Sequence, residues 1–156
     1  MMISPLQGAF LAHLVRTYKP RRILELGCFT GYSAAWLAHG ILTYHSSNSG
    51  EPLPHVWTCE KDLASSTIAN ENLIKAGYSD NVTIIKRYAA KVLAEWNPDE
   101  KLDLIFIDAD KASIPDYYET ILERDLLSKN GQIIIDNALL HGKIHSGIKS
   151  PRPSLE

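Results

Sequence analysis

Carboxylate and amide side chains follow two short apolar runs of this sequence, in an arrangement that could bind a hard metal ion. The run LIFI is followed by DADK at positions 108–111, and the run III is followed by DN at positions 136–137. If both runs are neighbouring parallel strands, Asp108, Asp136 and Asn137 meet at one edge of the sheet. Three oxygen ligands suit Mg²⁺ and leave positions for water and substrate. The plainer alternative is that these acids only cap the following helices, but two strands that end in the same way favour the metal site.

A glycine-containing turn and an acid suggest a second ligand. The segment ELGCFTGYS has glycines at positions 27 and 31, and glycine lets a backbone turn tightly and approach a ligand. The G-x-x-x-G spacing differs from the G-x-G-x-x-G of dinucleotide sites, so a nicotinamide-dependent enzyme is a weaker alternative. Glu60 ends the second apolar run and can accept hydrogen bonds from ribose hydroxyls, although alone it would be read as an acid at a helix N-terminus. The turn and the acid together predict an adenosine-containing ligand.

These candidate residues need a sheet to hold them, and the sequence pattern predicts one. Runs rich in β-branched residues predict strands at 22–26, 55–59, 82–86, 102–107 and 132–135. A capping box at Ser4 and Gln7 predicts the start of a first helix. Helical spacing predicts four further helices, over 31–40, 62–77, 89–96 and 118–122. Segments 41–54 and 144–156 are predicted to be irregular. This alternation predicts a parallel sheet with helices on both faces and ligands at the carboxyl ends of its strands.

Composition restricts the class of protein. The chain has 156 residues, of which 45% are apolar, and a formal net charge of −2. We therefore expect one globular domain and no nucleic-acid partner. No apolar run approaches the roughly 18 residues that a membrane span needs, and the N-terminus lacks the pattern of a signal peptide. Two cysteines, Cys28 and Cys59, cannot build a disulfide framework, so we expect reduced, buried thiols and a cytoplasmic location.

Four segments carry a family resemblance: ILELGCFTGYSA, VWTCEKD, LIFIDADKASIPDYYE and IIIDNALLHGK. Together they resemble the metal-dependent class I S-adenosylmethionine O-methyltransferases, and the catechol and caffeoyl-CoA group most. The resemblance covers almost all of residues 1–143, which form the predicted domain, and leaves 144–156 as a tail. It implies an α/β, Rossmann-like class I methyltransferase fold with strand order 3-2-1-4-5. In this chain the last two strands of the family are missing.

The resemblance also implies roles for individual residues. It places S-adenosyl-L-methionine against Ser4, Glu25, Gly27, Phe29, Gly31, Tyr32, Ser33, Glu60, Ala89, Asp108 and Asp110. It implies that Asp108, Asp136 and Asn137 bind Mg²⁺ or another divalent cation, and that Lys111 is the general base. The implied reaction is methyl transfer to a hydroxyl of a small phenolic or catechol-like acceptor, because two adjacent oxygens can chelate one metal ion.

The chain is shorter than the family at both ends, so most of the acceptor-binding half is absent. The alternative is therefore a shortened relative that binds the cofactor or a partner, or that catalyses a non-methylating biosynthetic step. Without the missing strands, 132–135 is an apolar sheet edge, and such edges pair readily with other chains. We expect this edge to be covered by a second copy in a homodimer, by the tail, or by an exchanged element.

Overall fold

Five strands form one parallel sheet in the computed structural model, which describes residues 2–45 and 52–138. The strands are β1 (Arg22–Leu26), β2 (His55–Cys59), β3 (Val82–Ile85), β4 (Leu102–Ile107) and β5 (Leu127–Ile135). Their order is β3-β2-β1-β4-β5, and all four pairings are parallel. The predicted sheet and strand order are thereby confirmed. The predicted tail at 144–156 lies outside the described residues.

Helices cover both faces of the sheet. They are α1 (Pro5–Tyr18), α2 (Tyr32–Tyr44), α3 (Leu63–Lys75), α4 (Ala89–Glu95) and α5 (Ile114–Glu123), with a 3₁₀ turn at Lys111–Ser113. Successive β1 side chains point to opposite faces. Ile23 packs with buried residues of α1, α2 and α3, whereas Leu24 and Leu26 pack with those of α4 and α5. The sheet is therefore the middle layer of three. Within the described residues, no helix is long and apolar enough to cross a membrane.

The second helix is longer than predicted. The sequence suggested an end at Gly40 and an irregular segment over 41–54, but α2 continues to Tyr44. A Cβ at Gly40 would lie 2.7 Å from the Val15 Cβ of α1. Gly40 therefore lets two helices pack closely and does not end one of them, which is why the prediction for 41–44 was wrong.

Two strand boundaries also differ from the sequence prediction. β3 ends at Ile85, one residue before the predicted end, and β5 begins at Leu127 and not at position 132. Leu102 pairs with Leu127 but Leu104 pairs with Gln132, so β5 contains extra residues between these two pairs. The extra segment is polar and includes a glycine, which hid the strand from a pattern based on apolar runs.

One edge of the sheet is open in the part of the chain that the structure describes. There β5 pairs only with β4, and its III segment at 133–135 is half-buried. The backbone groups on its other side are free to pair with another strand.

Candidate active site

A cavity of about 320 Å³ opens at the carboxyl ends of β1, β2 and β4. In open parallel sheets, ligands bind at the carboxyl ends of the strands, so this cavity lies where a ligand site is expected. Eight of the eleven residues predicted to bind the cofactor line it: Gly27, Phe29, Tyr32, Ser33, Glu60, Ala89, Asp108 and Asp110. The other three lie elsewhere. Glu25 lies in the core, Ser4 caps α1, and Gly31 lines a neighbouring groove.

The turn between β1 and α2 forms one wall of this cavity. Gly27 has a φ of 102°, and a Cβ there would lie 2.7 Å from the Asp108 carbonyl oxygen. The backbone N–H groups of Gly27 and Cys28 donate to the Cys59 carbonyl at 3.2 and 3.0 Å. Gly27 thus allows the turn after β1 to approach the end of β4 closely. The sequence predicted a close approach to a ligand at this glycine, and that role stays a prediction.

The Glu60 carboxylate is fixed at the end of β2. Its Oε2 accepts from the backbone N–H of Phe29 at 2.7 Å, and its Oε1 accepts from the N–H of Asp62 at 2.9 Å. A carboxylate can accept about four hydrogen bonds. Glu60 therefore lines the cavity in a fixed orientation and keeps acceptor capacity for a pair of hydroxyl groups.

Glu25 lies beneath the cavity and is fully buried. The Thr58 hydroxyl donates to its Oε2, whereas its Oε1 has no hydrogen-bond partner in the described residues. Burial raises the pKa of this carboxyl to about 7, although hydrogen bonds from Ser33 and Thr58 oppose the change. Ser33, the side chain that most opposes this change in pKa, also lines the cavity.

The two carboxylates predicted to bind a metal ion lie beside one ammonium group. Lys111 Nζ is 2.9 Å from Asp108 Oδ1 and 3.9 Å from Asp136 Oδ2. The Asn137 side chain donates to Asp136 Oδ2. The last residues of β4 and β5 pair with each other, so the segments that follow them share one edge. The structure therefore brings together Asp108, Asp136, Asn137 and Lys111, as the sequence predicted.

The donor set at this edge fits a hard divalent cation. Burial raises the pKa of Asp108, the Lys111 ammonium opposes this change, and the Asp136 carboxylate adds to it. Two neighbouring carboxylates favour a positive charge between them, and Asn137 adds an amide oxygen of the kind that Mg²⁺ accepts. No group of three or more His, Cys, Asp or Glu side chains in residues 2–45 and 52–138 could hold a metal ion. The candidate site thus depends on two carboxylates and one amide.

Asp110 lines the cavity next to this cluster. Its Oδ1 accepts from the backbone N–H of Ser113 at 3.0 Å, and its Oδ2 accepts from the Tyr117 hydroxyl at 2.9 Å. The side chain of Ser113 contributes most to lowering the pKa of Asp110, and the Tyr117 hydroxyl and the Ser113 N–H add to this effect. The Tyr117 ring is itself buried and lines the cavity. Asp110 is therefore an ionised carboxylate held in a defined orientation.

Sequence reasoning missed part of the cavity wall. The lining residues that it did not assign to the cofactor site are Met2, Ile3, Cys28, Cys59, Lys61, Arg87, Tyr88, Ala109 and Tyr117. Arg87 and Tyr88 follow β3. The rule that ligands bind at the carboxyl ends of parallel strands, which identified Glu60, would also have identified these two residues. Lys61 Nζ lies 5.3 Å from the centre of the Tyr88 ring, a cation–π distance. The adenosine end of the predicted site is thus lined by a basic and an aromatic side chain.

The two cysteines are free and buried, as predicted. Both line the cavity. Burial raises the pKa of the Cys59 thiol to about 12 and raises that of Cys28 as well. Because the thiolate is the reactive form of cysteine, these side chains act as small apolar wall residues and not as nucleophiles.

A family model described as O-methyltransferase matches residues 1–153. The chain belongs to this O-methyltransferase family. Membership of the O-methyltransferase family confirms the resemblance drawn from the sequence motifs, and it disagrees with the nicotinamide-dependent alternative.

Two O-methyltransferases are similar to nearly the whole chain. O-methyltransferase ankF of Aspergillus thermomutatus is 35% identical over 154 residues, which are 99% of this chain and 59% of that protein. The catechol O-methyltransferase of Niastella koreensis is 32% identical over 145 residues, which are 91% of this chain and 60% of that protein. The chain thus spans about 60% of the length of these curated relatives.

A solved structure agrees with the fold. The O-methyltransferase from Bacillus cereus, crystallised in complex with SAH, superposes with a TM-score of 0.81 at 35% sequence identity. The superposition covers 97% of this chain and 65% of the other. The predicted Rossmann-like class I methyltransferase fold is confirmed, as is the shorter length relative to the family.

Proposed function

We propose that this O-methyltransferase family member transfers a methyl group from S-adenosyl-L-methionine to a hydroxyl of a small phenolic or catechol-like acceptor, with the help of Mg²⁺. The position of Asp108 carries this proposal. Asp108 lines the cavity beside Glu60 and also contacts Lys111 in the Asp136 cluster. A cofactor in the cavity and a cation at the cluster would therefore lie side by side.

The cofactor assignment rests on the cavity. The turn at Gly27, the fixed carboxylate of Glu60 and the ionised Asp110 supply the features that the family resemblance assigns to S-adenosyl-L-methionine. The B. cereus relative was solved with SAH, which supports the same class of ligand here. The roles of Ser4, Glu25 and Gly31 toward the cofactor remain predictions.

The residues of the cluster would have different roles in this reaction. The cofactor supplies an electrophilic methyl group, and a bound divalent cation favours the ionised form of an acceptor hydroxyl. Asp108, Asp136 and Asn137 would hold the cation. Lys111 Nζ, at 2.9 Å from Asp108, would take the proton from the acceptor hydroxyl as a neutral amine, the form that repulsion by a bound cation would favour, and would become the ammonium in that step. Positioning both reactants on one rigid sheet edge can contribute much of the acceleration.

A methylation assay tests this proposal directly. The chain should convert 1,2-dihydroxybenzene into a singly methylated product with S-adenosyl-L-methionine and Mg²⁺, as detected by mass spectrometry. The 1,3-isomer should react much more slowly because its oxygens cannot chelate one ion. A chelator should abolish the reaction, and Asp108→Ala should abolish it as well. Asp116→Ala, which changes an exposed aspartate, should leave the reaction unchanged. Activity that survives both the chelator and Asp108→Ala would reject the metal role.

The shortened-relative alternative also has an observation in its favour. The chain spans only 59% of ankF and 60% of the Niastella enzyme, and the family resemblance places acceptor-binding groups in the part that does not match. This alternative predicts calorimetric binding of S-adenosylhomocysteine without methyl transfer to any acceptor in a broad screen. A methylated product from any acceptor would exclude it.

We also propose that a second copy of the chain covers the open edge of β5 in a homodimer. The unpaired side of β5 and the half-buried III segment support this arrangement. Sedimentation velocity over a concentration series should show a dimer, and a monomer at every concentration would contradict it. The cytoplasmic location stays a prediction, which cell fractionation can test.

A further inference from the structure

Gln7 connects the start of the first helix to the candidate metal cluster. Its Nε2 donates to Asp136 Oδ1 at 2.9 Å, and its Oε1 accepts from the backbone N–H of Ser4 at 2.8 Å. The Ser4 hydroxyl in turn accepts from the backbone N–H of Gln7 at 3.2 Å. One amide side chain therefore completes a helix cap with one end and holds a carboxylate 129 positions away with the other.

The residues just before this cap form part of the cofactor cavity. Met2 and Ile3 line it, and Ile3 is also buried against the core. Thr30, in the turn after β1, donates a weak hydrogen bond to Met2 Sδ at 3.7 Å. The segment of residues 2–4 thus lies against the cavity on the same side as the glycine turn. We call it the N-terminal strap.

Asp136 is held from several sides. Gln7 contacts its Oδ1, while Asn137 and Lys111 approach its Oδ2. With Oδ1 occupied by a neutral donor, Oδ2 is the oxygen that faces the cluster. In metal sites, a hydrogen bond from outside the ligand set commonly orients a coordinating carboxylate in this way.

We propose that Gln7 is a positioning residue that couples the N-terminal strap over the cofactor cavity to the orientation of Asp136. This inference rests on the proposed function for the identity of the two ligands. Because the strap and the carboxylate share one side chain, order at either end favours order at the other. Binding of S-adenosylhomocysteine and of Mg²⁺ should therefore be mutually reinforcing, since coupling between two sites is reciprocal.

A double-mutant cycle read by calorimetry tests this coupling. S-adenosylhomocysteine is titrated in the presence of chelator into the native chain, Gln7→Met, Asp136→Ala and the double variant. The Gln7–Asp136 hydrogen bond acts on the cofactor cavity only through the strap, so its loss in Gln7→Met should weaken binding roughly fivefold, the lower end of the range for coupling between two sites. In the Asp136→Ala background the same replacement should have almost no effect, because its partner is already gone.

One further variant and two further measurements separate coupling from helix capping. Gln7→Glu keeps an acceptor for the Ser4 N–H but loses the donor to Asp136, so without metal it should bind S-adenosylhomocysteine as weakly as Gln7→Met. Addition of Mg²⁺ should strengthen the binding of S-adenosylhomocysteine to the native chain. The same addition should strengthen it much less in Gln7→Met. Thermal unfolding of each variant tests whether the fold is retained.

The possible outcomes are distinct. Equal weakening by Gln7→Met in both backgrounds, or native affinity in Gln7→Glu, would show a capping role only and overturn the inference. Native affinity in Gln7→Met would overturn it as well, while leaving the proposed function in place. A native chain that does not bind S-adenosylhomocysteine at all would overturn both.

Discussion

The backbone N–H of Phe29 donates to Glu60 Oε2 over 2.7 Å, which ties the turn after β1 to the end of β2. Phe29 has a φ of 49°, a left-handed conformation that few residues other than glycine adopt. The hydrogen bond therefore helps to hold an unfavourable backbone conformation, and it leaves the carboxylate directed at the cavity. One side chain both shapes the turn and offers acceptors to the ligand.

Glu60→Gln should weaken S-adenosylhomocysteine binding by roughly tenfold or more. The replacement keeps the shape of the side chain but removes its charge and presents an NH₂ group to donors, and hydrogen bonds to a charged group are worth about 1.5–3 kcal/mol. Calorimetry measures the change. Glu71→Gln, on the exposed face of α3 where Glu71 lies 3.8 Å from Lys75, is the matched control and should bind as the native chain does. Unchanged affinity in Glu60→Gln would argue against a ribose at this acid.

A pair of glycines separates backbone strain from close packing. Gly27 and Gly77 both have positive φ, but a Cβ at Gly27 would clash with the Asp108 carbonyl, whereas one at Gly77 would meet nothing within 4 Å. Gly77→Ala should lower the free energy of unfolding by about 1 kcal/mol. Gly27→Ala should lower it by about 2–5 kcal/mol, since overpacking adds to the strain, and should also weaken S-adenosylhomocysteine binding. Equal losses in urea titrations of the two variants would show that the close contact at Gly27 is unimportant.

Glu25 should make stability depend on pH. Burial raises the pKa of its carboxyl to about 7 from an ordinary value of 4.5. Between these values the folded chain holds a proton that the unfolded chain has lost, so the free energy of unfolding falls as the pH rises through this window. The total loss from this group is about 3 kcal/mol. It is largely complete at pH 8.

Urea unfolding at pH 5, 6, 7 and 8 measures this effect. Glu25→Gln has no carboxyl to titrate, so its stability relative to the native chain should improve steadily from pH 5 to pH 8. Glu71→Gln, the same chemical change at an exposed position, should follow the native slope. Parallel curves for the native chain and Glu25→Gln would mean that the buried carboxyl does not bind a proton in this range.

The sequence was sufficient to locate most of the sheet because its strands are short apolar runs between polar turns. It was also sufficient for the strand-end residues: once the sheet is parallel, Glu60, Asp108 and Asp136 must share one edge. Where a residue served packing, the local pattern misled. Gly40 looked like a helix end, yet it is the point at which α1 and α2 approach each other.

Contacts between distant segments were beyond the reach of local patterns. The Gln7–Asp136 hydrogen bond joins positions 129 apart, and a capping box predicts only the end of Gln7 that faces Ser4. Such contacts depend on how each helix packs on the sheet. The sequence pattern predicts that a helix lies on a face of the sheet, but it does not predict the positions of its atoms.

Lys111 offers a test of proton transfer that preserves the charge of the cluster. Its ammonium contacts Asp108 and approaches Asp136, so removing the charge would disturb both carboxylates. Arginine keeps the charge and can hydrogen-bond to carboxylates but does not give up its proton. Lys111→Arg should therefore still bind S-adenosylhomocysteine, while methyl transfer falls by about 10²–10⁴-fold, the usual contribution of a general base. Lys101→Arg repeats the replacement at a lysine that is 2.7 Å from Asp125, away from the cavity, and should keep native activity. If Lys111→Arg were nearly as active as the native chain, Lys111 would serve only to balance charge, and the acceptor proton would have to leave by another route.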